Sequence, residues 1–158
     1  MKRMMMALIV LALLSGCFNQ PQGFRLSEPG GYNFTTGNQR DIHNYERYAN
    51  GQVDVKITLR LIELSGPIYD PVFDVEAFLK QIGWEDVDLS DEPVTVIHND
   101  LPLIRFSVIR DDESITLWVI NLDSPYDLWA QVIGSPESVD QAFEDWLNVW
   151  ESVEYLYF

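Results

Sequence analysis

The chain has few residues of the kinds that carry covalent and metal chemistry. Its 158 residues include one cysteine, Cys17, and two histidines. A single cysteine excludes a disulfide within the chain, so packing must supply the stability of the fold. Two histidines beside carboxylates are a poor ligand supply for zinc, which prefers nitrogen and sulfur ligands. The sequence therefore predicts neither a disulfide-stabilised scaffold nor a zinc centre.

Catalytic motifs are equally scarce. His43 or His98 could serve a Ser-His-Asp triad, but Gly-x-Ser-x-Gly does not occur, and Ser135-Pro136 is better explained as a helix cap. The acids Asp86, Asp88 and Asp91 have a spacing similar to a calcium loop, without the glycine that its sharp turn needs. We therefore expect no enzymatic activity, no cofactor and no metal.

Basic side chains are also few, with 10 lysines and arginines against 25 acids and a net charge of −15. Such a charge repels phosphates, which excludes nucleic acid as a partner. It favours a protein partner with a basic patch.

The N-terminus combines Lys2 and Arg3 with an apolar run from Met4 to Leu14. This run is shorter than the roughly 20 residues of a membrane-spanning helix and is typical of a secretory signal. Leu14-Ser15-Gly16-Cys17 resembles the bacterial lipobox. The resemblance implies cleavage before Cys17 and three acyl chains on that residue. The alternative is an ordinary signal peptide that leaves a free or dimer-forming thiol.

These features predict an anchored protein. Residues 1–16 form the signal peptide, 17–27 a lipidated tether and 28–158 one globular domain. Because Phe18 rather than aspartate follows the cysteine, the lipoprotein resemblance implies the periplasmic face of the outer membrane. Removal of Lys2 and Arg3 leaves 8 basic residues against 25 acids, a mature charge of −17.

Strand and helix patterns alternate along the domain. Residues 53–61 place apolar side chains at every second position, and Asn50-Gly51 predicts a hairpin to a strand near residues 42–48. Further strands are predicted at 31–37, 94–98, 104–109, 115–122 and 128–133. Asp70-Pro71 and Ser135-Pro136 predict the starts of two helices, the first ending at Gly83 and the second extending through Trp150.

This element order, with "GGYNF" at Gly30 and "WLNVWESVEYL" ending at Leu156, resembles the PsbP/DcrB-like family. The resemblance implies an α+β fold, an α/β/α sandwich around a mainly antiparallel sheet. It also implies a role as an assembly or stabilising factor for a membrane complex, without shared catalytic residues.

Periodicity leaves four aromatic residues unassigned to the core: Trp84, Tyr126, Trp129 and Tyr155. Tryptophan is common at binding hot spots. We therefore predict a partner surface made of Trp84, Asp86, Asp88, Asp91 and Trp129. The alternative is that the aromatic residues fill the core of the sandwich and the aspartates form a solvated loop. The alternative function is a binding module that holds a small cationic or apolar ligand in a pocket between sheet and helix.

Overall fold

The computed structural model describes residues 23–35, 41–63, 74–120 and 126–156. Within these ranges the chain forms strands, two helices and one 3-10 turn. In chain order they are β1 (Gly23–Arg25), β2 (Tyr32–Thr35), β3 (Ile42–Ala49), β4 (Gln52–Glu63), α1 (Val75–Gln81), β5 (Asp88–Leu89), β6 (Val94–His98), β7 (Leu101–Arg110), β8 (Glu113–Ile120), β9 (Tyr126–Gly134), α2 (Pro136–Trp146), the 3-10 turn (Trp150–Ser152) and β10 (Glu154–Leu156).

An eight-stranded sheet organises the domain. Its order is β2-β3-β4-β9-β8-β7-β5, and β6 pairs with β7 beside β5. A second, two-stranded sheet joins β1 to β10. Every pairing among the described strands is antiparallel. The predicted α+β fold around a mainly antiparallel sheet is therefore confirmed.

Three hairpins have two-residue turns that the sequence specifies. Asn50-Gly51, Asn99-Asp100 and Asp111-Asp112 have positive φ at both central residues. This is the geometry of the turn whose twist matches that of paired strands, and asparagine, aspartate and glycine tolerate it best. The predicted hairpin between residues 42–48 and 53–61 is confirmed as β3 and β4.

The two helices pack on opposite faces of the sheet. Helix α2 buries its apolar side against Trp118 and other residues of one cluster, whereas α1 packs in a second cluster that contains Leu117. Because successive side chains of a strand point to opposite faces, neighbouring residues of β8 belong to different layers. The sheet thus separates two cores.

Both helices differ in extent from the prediction. Helix α1 begins at Val75, because the Asp74 side chain accepts a 3.0 Å hydrogen bond from the Ala77 amide and caps it; the predicted start at Asp70-Pro71 lies outside the described residues. Helix α2 has the predicted cap at Ser135 but ends at Trp146. Trp150 lies instead in the 3-10 turn, where it is still buried.

The globular fold begins earlier than predicted. Residues 23–25, assigned to the tether by the sequence, form β1 and pair with β10. Phe24 is buried, and its ring stacks on His43 with the centroids 4.1 Å apart. Burial of this apolar ring brings the segment into the fold, so the predicted boundary at residue 28 is wrong.

No helix in the described ranges is long and apolar enough to cross a bilayer.

Candidate functional site

The most exposed large apolar side chains lie at one edge of the main sheet. Ile97 is 73% exposed and Val94 is 56% exposed, both on β6, and Leu89 on β5 is also exposed. Within the described residues β5 and β6 pair only with β7. We call residues 88–98 the β6 edge. It combines apolar side chains with an open strand.

Local sequence explains why the chain folds this way. β6 is the sequence Val-Thr-Val-Ile-His, rich in β-branched residues that favour strands. The turn at Asn99-Asp100 sets its register on β7, from Val94 opposite Arg105 to His98 opposite Leu101. The Ser90 amide donates a 2.9 Å hydrogen bond to the Ser107 carbonyl on β7, which continues the pairing with β7 beyond the end of β5.

The predicted acidic residues lie on and beside this edge. Asp86, Asp88 and Asp91 are all exposed, as is Glu92, which Pro93 separates from the start of β6. In the described part of the chain, no three acidic, histidine or cysteine side chains are grouped so that they could hold a metal ion. The structure therefore brings together acids and apolar side chains.

The two predicted tryptophans are not part of this surface. Trp84 is 8% exposed and Trp129 is 4% exposed, and their rings make an edge-to-face contact at 6.0 Å in the core under α1. The prediction that they form a partner surface is wrong. A signal was present in the sequence, because residues 128–133 are apolar on both faces, a pattern typical of a strand covered on both sides. The apolar surface is aliphatic instead.

Arg110 covers the remaining exposed side of Trp84. Its guanidinium lies 4.5 Å from the ring centroid, a cation–π contact. Beside it is a surface depression of about 420 Å³, lined in part by Glu85, Asp86 and Val87. This depression adds further negative charge next to the β6 edge.

A second candidate site is a cleft of about 920 Å³ along α2, lined by Arg47, Arg105 and polar residues of the helix. Its cations already have partners. Arg47 Nη2 lies 2.7 Å from Asp54 Oδ2, and Arg47 Nη1 lies 3.2 Å from Asp145 Oδ2. Arg105 pairs with Asp140. Pockets for small apolar ligands have mainly apolar walls, which this cleft lacks.

Hydrogen bonds in this cleft shift the pKa values of two side chains. Donation from Ser138 Oγ, at 2.6 Å, and from Arg47 lowers the pKa of Asp54 below its ordinary value. Burial and a hydrogen bond to Asp145 raise the pKa of Tyr32. Both shifts come from groups that join β2, β3 and β4 to α2, so the network stabilises the fold.

The two histidines lie on different elements. His43 on β3 stacks on Phe24, with the ring centroids 4.1 Å apart, and makes an edge-to-face contact with Phe34 at 5.4 Å. His98, at the end of β6, places Nε2 3.1 Å from Asn148 Oδ1 and 3.7 Å from the Glu151 carboxylate. Their contacts join β1 and the segment after α2 to the sheet.

Comparison with known proteins identifies the type of fold. No family model matches the sequence, and no curated protein sequence matches it. Among solved structures, it is similar to the solution structure of cyanobacterial PsbP (CyanoP) from Synechocystis sp. PCC 6803. The identity is 10%, the match covers 87% of this chain and 89% of that chain, and the TM-score is 0.50. The fold is PsbP-like.

Proposed function

We propose that this chain is a lipid-anchored, non-enzymatic protein on the periplasmic face of the outer membrane, and that it docks on or helps to assemble an envelope protein complex. The observation that supports this most is the β6 edge, where exposed Val94 and Ile97 lie beside exposed acids. Exposed large apolar side chains rimmed by polar residues are typical of an interaction site.

Charge supports a basic partner. The mature chain proposed here has a charge of −17, from 8 basic and 25 acidic residues. A field of this sign attracts a positively charged surface and increases its association rate at low salt. Acids beside β6 combine this attraction with burial of Val94 on one face of the strand and of Ile97 on the other.

The proposed anchor restricts where the partner lies. Between Cys17 and the start of β1 at Gly23 there are only residues 18–22. Even fully extended, this connection spans about 20 Å. The domain would therefore remain next to the bilayer, where three acyl chains give stable attachment. A membrane-embedded or membrane-bound complex is within reach, whereas a distant periplasmic partner is not.

The finer detail of the architecture is also part of this proposal. We describe the domain as an α/β/α sandwich of the PsbP/DcrB-like type, because α1 and α2 pack in separate clusters on the two faces of the sheet.

Affinity purification tests the docking role. The tagged chain is extracted from membranes in mild detergent, and proteins that co-elute are identified by mass spectrometry. We expect a defined envelope protein whose recovery falls as salt rises, because exposed charges are screened beyond about 10 Å at 0.1 M salt. Recovery of the chain alone at low salt, after crosslinking in intact cells, would contradict the proposal.

A further inference from the structure

We propose that the open side of β6 binds an extended segment of a partner protein as an additional β-strand, and that lysines or arginines flank a short apolar stretch of that segment. The inference rests on the docking role proposed above and defines its surface and the chemistry of the partner. Three properties of the β6 edge lead to it.

The first property is the backbone. A strand at the edge of a sheet presents N–H and C=O groups that can pair with another chain, and proteins usually protect such edges with lysine, proline or a bulge. β6 contains neither lysine nor proline, and its pairing with β7 is regular over all five residues. Its outer side is therefore suited to β-strand addition.

The second property is the position of the exposed side chains. Val94 lies opposite Arg105, and Ile97 lies opposite Pro102. Since odd and even positions of a strand point to opposite faces, Val94 and Ile97 are on different faces of the sheet. A strand added to β6 would thus have an apolar neighbour on each face.

The third property is the charge around the strand. Asp91 and Glu92 precede β6, Asp100 follows it, and residues 81–104 contain no lysine or arginine. Basic residues at both ends of a bound segment would lie near these acids. A second copy of the chain is a poor occupant, because antiparallel pairing of two β6 strands centred on Val96 would bring Glu92 opposite Asp100. Like charges in that position are destabilising.

Binding of a synthetic peptide tests this inference. The full chain, purified in mild detergent, is titrated into a fluorescein-labelled peptide of sequence KKVTVTVKK, and binding is followed by fluorescence anisotropy. We expect saturable binding that weakens about tenfold between roughly 0.05 M and 0.5 M salt. Hydrogen exchange should show slower exchange of the β6 amides when the peptide is bound.

Matched variants locate the site. Ile97→Lys places a positive charge on the open strand and should weaken binding about tenfold or more. Val53→Lys is the control, because Val53 is an exposed valine on β4, away from this edge. It should leave binding within about twofold of the wild type. Both changes are on the surface, so both variants should fold.

Two further peptides test the mode and the charge. EEVTVTVEE should bind at least about tenfold more weakly, because its charge has the wrong sign. KKVTVTVKK with alternate amides N-methylated should also bind weakly, because it lacks the donors of one edge. Equal binding of either control peptide, or of the Ile97→Lys variant, would overturn the inference. So would a dimer of the wild-type chain in sedimentation velocity that Ile97→Lys abolishes.

The two proposals fail separately. Peptide binding at β6 without any co-purifying envelope protein would leave strand addition standing and remove the docking role. A co-purifying partner that is retained by Ile97→Lys would support docking and overturn the assignment of β6.

Discussion

The Arg47 side chain joins four elements of the fold. From β3 its guanidinium contacts Asp54 on β4, Asp145 on α2 and the Tyr32 hydroxyl on β2. Nη2 also donates to the Ser138 carbonyl at 3.2 Å. Because the Arg47 side chain is mostly buried, little water could take the place of its guanidinium as a hydrogen-bond donor to these partners. Loss of the guanidinium would leave two carboxylates facing each other across the network.

Substitution of Arg47 should therefore destabilise the fold. We expect Arg47→Met to lower the free energy of unfolding by about 2 kcal/mol, because partly buried carboxylates lose their partner. Arg25→Met is the matched control, since the Arg25–Glu154 pair is largely exposed, with 69% of the Arg25 side chain accessible. Its effect should stay below about 0.5 kcal/mol. Urea denaturation of both variants measures this, and equal effects would contradict a special role of Arg47.

The same network makes stability depend on pH. The pKa of Asp54 is lowered in the folded protein, so its stabilising contribution is complete above its unfolded pKa of about 3.9. The contribution is lost as pH falls through the lower folded value. We expect wild-type stability to decrease below about pH 4, and Arg47→Met to show a smaller decrease. Thermal melts across this pH range measure it; parallel curves for the two proteins would show that Arg47 does not contribute to this pH dependence.

At the N-terminus, the proposed anchor depends on one residue. We expect Cys17→Ser to leave an uncleaved precursor or a mislocalised protein that takes up no labelled palmitate, because serine cannot form the thioether. Metabolic labelling and membrane fractionation measure this. Normal labelling of the Cys17→Ser variant would show that Cys17 is not the acylated residue.

At the scale of elements, α2 contributes most of the helical surface of the larger core. Its buried residues are Val139, Ala142, Phe143 and Trp146. Trp146 makes edge contacts with Tyr45 at 4.9 Å and with Tyr32 at 5.6 Å, and Phe143 contacts Trp118 at 5.4 Å. The helix is thus packed against both halves of the sheet through aromatic rings.

Removal of two of these rings should unfold the domain. Phe or Trp to Ala in a core costs about 3–5 kcal/mol, whereas the stability of a whole domain is about 5–15 kcal/mol. We expect the double change Phe143→Ala, Trp146→Ala to abolish the cooperative thermal transition in circular dichroism. Glu144→Ala, on the exposed side of the same helix, should leave it nearly unchanged. A double variant that melts within a few degrees of the wild type would show that α2 is peripheral.

At the scale of the whole molecule, two triple variants can separate the effect of the acids at the proposed docking surface from the effect of net charge. A triple variant in which Asp86, Asp88 and Asp91 are changed to Asn should lose the co-purifying partner in a salt-sensitive way, because these residues lie on or beside the β6 edge. A control with the same charge change is Asp41→Asn with Glu137→Gln and Glu144→Gln, three exposed acids elsewhere. It should retain the partner. Equal loss in both would mean that only total charge matters.

The same triple variant tests for calcium. If the three aspartates held the ion, added calcium would raise the melting temperature of the wild type and leave the variant unchanged. We expect calcium to have little effect on either protein, since the segment lacks the glycine of a calcium loop. Differential scanning fluorimetry measures the shift.

Local features of this fold could be predicted because neighbouring residues specify them. Three turn dipeptides tolerate positive φ: Asn50-Gly51, Asn99-Asp100 and Asp111-Asp112. Each specifies a hairpin, regardless of where its two strands lie in the sheet. Ser135 caps α2 through a hydrogen bond to the Ser138 amide, three residues along the chain. The alternation in β4 likewise determined that Val55, Ile57 and Leu59 enter the core. These signals need no distant partner.

Only the tertiary structure decided which segments are covered. Residues 23–25 are part of the fold rather than a tether because β1 pairs with β10 near the other end of the chain and because Phe24 is buried. Trp84 and Trp129 became core residues because α1 packs over β9. Among the described strands, β6 became an edge because it pairs with β7 alone. Composition and spacing describe a residue and its neighbours in sequence, whereas exposure depends on what the rest of the chain places against them.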